Sequence, residues 1–86
     1  MNIDPRTDGL KTRYTFIHFI EVGKKAKTSV WECRNNRSSD VLGKIMWYAP
    51  WRQYCFFPTM GDVLVFNVGC LGDISNFIMQ LRGRRQ

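Results

Sequence analysis

The sequence predicts an α+β fold: a five-stranded antiparallel meander sheet with one C-terminal helix packed on one face. Three observations predict it. Short aromatic and β-branched runs alternate with turn residues through most of the chain. The connections between those runs are short, which favours antiparallel neighbours, because a parallel crossover needs about a dozen residues or more. In the last segment the apolar spacing changes to three and four, at Cys70, Leu71, Ile74, Phe77, Ile78 and Leu81, which is one face of a helix.

Residues 1–12 are polar, with Pro5, Asp8 and Gly9, and read as a flexible N-terminal arm. Residues 13–86 then form a single sheet-plus-helix domain. Residues 14–22 (YTFIHFIEV) are expected to be the first strand, and residues 23–27 (GKKAK) a basic connection. Residues 28–34 (TSVWECR) are the second strand, followed by the turn-forming stretch NNRSSD. Residues 41–48 are the third strand, Ala49-Pro50 the next reversal, and residues 52–57 the fourth strand. After the turn PTMGD, residues 63–66 are expected to be a short fifth strand. Asn67 is a candidate helix N-cap, with Arg82 and Gly83 suited to the C-terminal end.

At 86 residues there is room for one core. A domain of this size buries only about 60–65% of its unfolded surface, so its stability rests on bulky side chains. Phe, Tyr and Trp supply them at 14% of the chain. The 44% apolar content is globular rather than disordered. The odd set of Cys33, Cys55 and Cys70 does not suggest a disulfide scaffold and points to reduced thiols in a cytoplasmic protein. The first residues lack a basic stretch followed by an apolar core, so no signal peptide is expected. No run approaches the roughly 20 apolar residues of a membrane span.

Pairing arithmetic assigns the faces. A reversal around Ala49-Pro50 that sets Trp47 opposite Arg52 and Ile45 opposite Tyr54 puts Val41, Ile45, Trp47, Tyr54 and Phe56 on one side, with Trp31 and Cys33. That side is assigned to the helix, with Arg52 at its rim. The other side carries Val30, Glu32, Arg34, Lys44, Met46, Tyr48, Trp51, Gln53, Cys55 and Phe57. The first strand is apolar on both sides, and its register is open, since the loop length decides whether Phe16 and Ile20 join the open side. Either way, there is more apolar surface than one helix covers, which is the mark of an interface.

Lys and Arg total 13 against 7 Asp and Glu, a net charge of +6. Lys24, Lys25, Lys27, Arg34 and Arg37 form the basic cluster, with Lys44 nearby on the sheet. Such cations suit phosphate contacts, and equally a solvated surface. The stretch WYAPWRQYCFF holds half of all aromatic residues. Trp47, Tyr54 and Phe56 read as core. Tyr48 and Trp51, beside a turn, suit stacking on unpaired bases, anchoring at a protein interface, or packing. His18 has no cysteine brought to it by spacing, so thiol catalysis is not expected. No paired-ligand spacing is present, so no metal site or cofactor is expected. The string Gly69-Cys70-Leu71-Gly72 matches the G-x-x-G of K-homology domains, but here it opens a helix.

The stretch VWECRNNRSSDVLGKIMWYAPWRQYCFFP, about a third of the chain, resembles a pattern in short uncharacterised proteins of bacterial and phage or other mobile genomes. The shared elements are Trp31-Glu32, Arg34-Asn35, Leu42-Gly43, Ile45, Trp47-Tyr48, Trp51-Arg52 and residues 54–58. The resemblance implies an origin in mobile elements rather than an activity. A looser resemblance is to three-stranded sheet-plus-helix DNA readers such as the arm-binding domains of tyrosine integrases, whose sheet enters the major groove.

Together these readings favour a small non-enzymatic module that binds nucleic acid or a host nucleoprotein. Lys24, Lys25, Lys27, Arg34, Arg37 and Lys44 would contact phosphates, Tyr48 and Trp51 would stack, and Arg52 would lie at the edge. The alternative is a phage-type inhibitor or adaptor, anti-CRISPR-like, that binds a host protein. A third reading is a homodimer through the open faces. No membrane partner is expected.

Overall fold

The computed structural model describes residues 9–60 and 65–84. Four strands form one antiparallel sheet in sequence order: β1 (Ile17–Lys24), β2 (Ser29–Asn35), β3 (Val41–Tyr48) and β4 (Gln53–Pro58). A 3-10 turn (Ala49–Trp51) joins β3 to β4, and one helix, α1 (Val68–Arg84), ends the chain. The α+β class, the meander and the C-terminal helix are as expected. The strand count is not. Of the expected fifth strand, Val63 and Leu64 lie outside the described residues, and Val65 and Phe66 are not in a strand. Phe66 instead sets its ring edge-on to Phe56 at 5.7 Å.

The β2–β3 turn follows from its residues. Asn35 Oδ1 accepts from the N–H groups of Arg37 (2.8 Å) and Ser38 (3.2 Å), a side chain standing in for backbone. Ser39 takes the left-handed conformation (φ 64°), and its N–H donates to Asn35 O at 2.8 Å. At the β3–β4 turn Pro50 presets the 3-10 geometry, and Arg52 is left-handed at φ 53°. Arg52 therefore belongs to the turn, not to β4. Trp47 pairs with Tyr54 and Ile45 with Phe56, two residues from the expected register. A shift of two preserves side-chain parity, so the face assignment of both strands holds.

Two irregularities change faces. A bulge between Cys33 and Arg34 sets Val41 opposite Arg34, on the open side, while Leu42 packs against the core. The expected helix-side position of Val41 is thus corrected. A second bulge between Glu21 and Gly23 shifts the end of β1. Before it, His18 pairs with Arg34 and Ile20 with Glu32, so both lie on the open side. Tyr14 is not part of β1. It is buried against the core from the approaching chain.

Helix α1 covers the other side. Asn67 Oδ1 accepts from Cys70 N at 2.8 Å, the N-cap bond. Phe77 is fully buried; its ring stacks on Phe19 at 4.1 Å and 2°, and meets Trp31 edge-on at 5.0 Å. Tyr14 meets Phe19 edge-on at 5.8 Å. Its hydroxyl donates to Asn76 Oδ1 (2.7 Å) and accepts from Gln80 Nε2 (2.8 Å), one turn apart on the helix. Gln80 also holds both backbone groups of Lys11, at 2.8 and 2.9 Å. Burial pushes the Tyr14 hydroxyl pKa up, the Gln80 bond lowers it, and Asp73 raises it further.

Two glycines have opposite requirements. A Cβ at Gly43 would sit 2.5 Å from the Phe56 ring and 2.6 Å from Phe57 O, whereas one at Gly72 in the helix would meet nothing within 4 Å. Gly43→Ala should therefore destabilise the fold by roughly 1–3 kcal/mol through overpacking. Gly72→Ala should stabilise it by about 0.5–1 kcal/mol through helix propensity. Urea midpoints at unchanged m-value measure both.

Candidate functional site

An antiparallel meander sends alternate connections to the same end of the sheet. The β1–β2 connection and the β3–β4 turn therefore share one end, and the β2–β3 turn lies at the other. Ser29 N donates to Tyr54 Oη at 3.2 Å, tying the start of β2 to the start of β4 at that shared end. Two strand spacings, roughly 10 Å, separate the two connections.

The shared end gathers most of the expected site. Lys24 closes β1 opposite Ser29, and Lys25 and Lys27 sit exposed in the connection, which is closed by a 2.8 Å bond from Lys25 N to Thr28 O. The bulge at Glu21/Gly23 pairs Lys24 with Ser29, so Lys24 leans to the helix side rather than the open side. On the adjacent turn, Trp51 is 66% exposed and Arg52 is exposed beside it. Neither connection contains a carboxylate: residues 24–31 and 47–60 hold four cations and no anion.

Tyr48 lies between two rings. It meets Trp51 edge-on at 5.1 Å and 89°, and Phe57 at 6.0 Å and 68°. Together with Cys55 and Phe56 these residues line an open cleft of about 250 Å³. Such a volume, apolar and ring-walled with a flanking cation, suits a flat aromatic group. Cys55 and Phe57 were absent from the expected site, although alternation had already put both on the open side. Phe57 pairs with Lys44, four positions along β3 from Tyr48, so the reach of the two rings along the open side, rather than strand pairing, joins them.

The remaining expected residues lie elsewhere. Arg37 is exposed in the β2–β3 turn at the opposite end of the sheet. At about 3.3 Å per residue that is roughly 25 Å from Lys27. Arg34 is on the open side, held by Glu32 through bonds of 2.9 and 2.6 Å. That pair is the one ion pair among the described residues. Lys44 is exposed mid-sheet, opposite Glu32 on one side and Phe57 on the other. The open side is thus not uniformly basic: its centre sets Arg34 and Lys44 around Glu32, whereas the cations of the shared end have no carboxylate in their own connections.

His18 Nδ1 lies 2.6 Å from Asn36 Oδ1. Asn36 uses its amide N–H groups on Tyr14 O (2.8 Å) and Thr15 O (3.2 Å), so its oxygen accepts and His18 Nδ1 donates. Cys33 sits behind Phe19 on the helix side, across the sheet from His18. No group of three or more potential metal ligands occurs among the described residues, and none of their helices is long and apolar enough to cross a membrane. No protein-family model, curated protein or solved structure matches the chain.

The cysteines differ in their surroundings. Burial, with a smaller contribution from Cys70, pushes the Cys33 thiol up from 9.0 to about 12. Because folding raises this pKa, the stability it carries is complete below pH 9 and is lost as the pH rises toward 12. In native protein at pH 8, an aromatic disulfide reagent should modify Cys55 and leave Cys33 untouched until denaturant is added. Counting released thiolate before and after unfolding checks this.

Proposed function

We propose that this protein is a nucleic-acid-binding module that holds single-stranded segments at the basic, aromatic end of its sheet. One observation carries the reading. Trp51, the most exposed aromatic ring at 66%, stands in a ring-walled cleft beside two connections that bear Lys24, Lys25, Lys27 and Arg52 and contain no carboxylate of their own. Stacking platforms flanked by cations are how proteins hold unpaired strands without reading their sequence. A flat ring left in water has little to gain from folding alone, and a base face supplies what it lacks. The four cations act as the phosphate contacts. Arg34, already bonded to Glu32, contributes less, and Arg37, at the far end, engages only a longer strand.

A second reading keeps support from a separate observation. Phe16, Ile20 and Val22 are 54%, 38% and 45% exposed along β1 and its approach, at the edge of the sheet opposite β4. This apolar stripe suits a host protein, as expected of a phage-type inhibitor. Capture of one host protein that survives nuclease treatment favours it over the first reading.

Titration of Trp fluorescence with a single-stranded oligonucleotide tests the primary reading. With four phosphate contacts, the logarithm of affinity should fall against that of salt with a slope of about −3, roughly fiftyfold between 50 and 200 mM. Trp51→Ala should weaken binding by about 1–3 kcal/mol. Replacing Lys24, Lys25 and Lys27 with Gln should flatten the slope to about −1. Affinity indifferent to salt, or unchanged in Trp51→Ala, overturns the proposal. A preference for duplex over single strand also counts against it.

A further inference from the structure

We propose that Trp51 and Arg52 form a mononucleotide subsite: one base enters the cleft against the Trp51 ring, and the phosphate of that same nucleotide is held by the Arg52 guanidinium. The inference rests on the nucleic-acid reading and narrows it to the unit of the strand that the cleft takes and the cation that meets it. The backbone of Arg52 is left-handed, at φ 53° and ψ 47°. Its N–H donates to Ala49 O at 3.1 Å, which closes the β3–β4 turn. That conformation strains a residue with a Cβ, whereas glycine takes it freely. The Arg52 side chain returns nothing to the fold: it is exposed, and it makes no hydrogen bond or ion pair to any described residue. Strain that the fold does not repay is found at ligand clamps, where the ligand repays it.

The neighbouring rings leave one platform. Tyr48 is already engaged with both Trp51 and Phe57, and Phe56 with Phe66. Trp51 has one ring contact among the described residues, edge-on with Tyr48 at 5.1 Å, and stays 66% exposed. A single free ring in the cleft stacks a single base.

Position then selects the cation. A phosphate is joined to its own base through one sugar, so the group that meets it has to sit on the ring's own turn. Arg52 follows Trp51 directly, whereas Lys24, Lys25 and Lys27 belong to the connection two strand spacings away, roughly 10 Å. Those lysines meet the phosphates of neighbouring nucleotides. Arg52 is also the one arginine among the four cations of the two connections. Its planar fork bonds two phosphate oxygens at once, where an ammonium acts as a point charge.

The test uses the full chain with three probes: a nucleoside 5′-monophosphate, the same nucleoside without its phosphate, and a single-stranded oligonucleotide. Nuclear magnetic resonance follows the indole N–H of Trp51, assigned by its loss in Trp51→Ala. The monophosphate should bind about tenfold more tightly than the nucleoside. Arg52→Gly should lower the monophosphate to the nucleoside's affinity, leave the nucleoside unchanged and keep the urea midpoint at or above that of the parent. Arg52→Asn, which also tolerates the left-handed region, should do the same to the two affinities. Ser39, left-handed at φ 64° in the β2–β3 turn, supplies the control, and Ser39→Gly should leave all three affinities unaltered. Replacing Lys24, Lys25 and Lys27 with Gln should weaken the oligonucleotide and spare the monophosphate. The subsite is overturned by a monophosphate no tighter than the nucleoside, or by a preference that survives Arg52→Gly or disappears with the lysines. No response of Trp51 to either small probe at millimolar concentration overturns it as well. If the oligonucleotide still binds with the expected salt dependence, only the subsite falls; an oligonucleotide that does not bind overturns the nucleic-acid reading with it.

Discussion

The fold depends on one stacked contact. Phe77 lies flat on Phe19 and edge-on to Trp31, so a single helical side chain spans the first two strands. In a domain this small no second layer exists to share the task. On the same helix Asn76 and Gln80 bond the hydroxyl of Tyr14. The approaching chain is therefore held by the same helix that closes the core. Because that helix shelters one side only, the other side has to satisfy its apolar groups laterally, ring against ring, as Tyr48 does with Trp51 and Phe57.

Much of this was legible in the sequence, because period and parity are local properties. The bounds of β3 follow from its composition and flanking turns. The cap at Asn67 follows from residue type, and the helix face from spacing. The exceptions are long-range. Tyr14 has the composition of a strand residue, but its hydroxyl is taken by side chains 62 and 66 positions later, which no window contains. Val41 changes side because Leu42 is the extra residue of a bulge, and alternation counted from a sequence assumes there is none. The run ending in Phe66 has strand composition, yet Phe66 serves the core better as an edge-on partner of Phe56 than as a ladder residue.

The candidate site was legible by type more than by place. Lysines, arginine and exposed aromatics were identified as chemistry, and alternation set Lys44 and Tyr48 on the open side. Proximity needed topology. Lys27 and Arg37 are ten residues apart and look like one cluster, whereas a single β2 strand between them puts them at opposite ends of the sheet. Trp51 is far from Lys25 in sequence and near it in space, because two hairpins point the same way.

Concentrating charge at one end has an energetic consequence. Lys24, Lys25, Lys27 and Arg52 repel one another across two adjacent connections that contain no carboxylate, and that repulsion weakens the folded state, most of all at low salt. The centre of the open side shows the opposite choice, since Glu32 is bonded to Arg34 and faces Lys44. A merely solubilising surface would intersperse the signs in both places. Unbalanced charge beside an exposed ring makes physical sense where an anionic, flat-faced ligand removes both costs at once, by neutralising the cations and covering the ring.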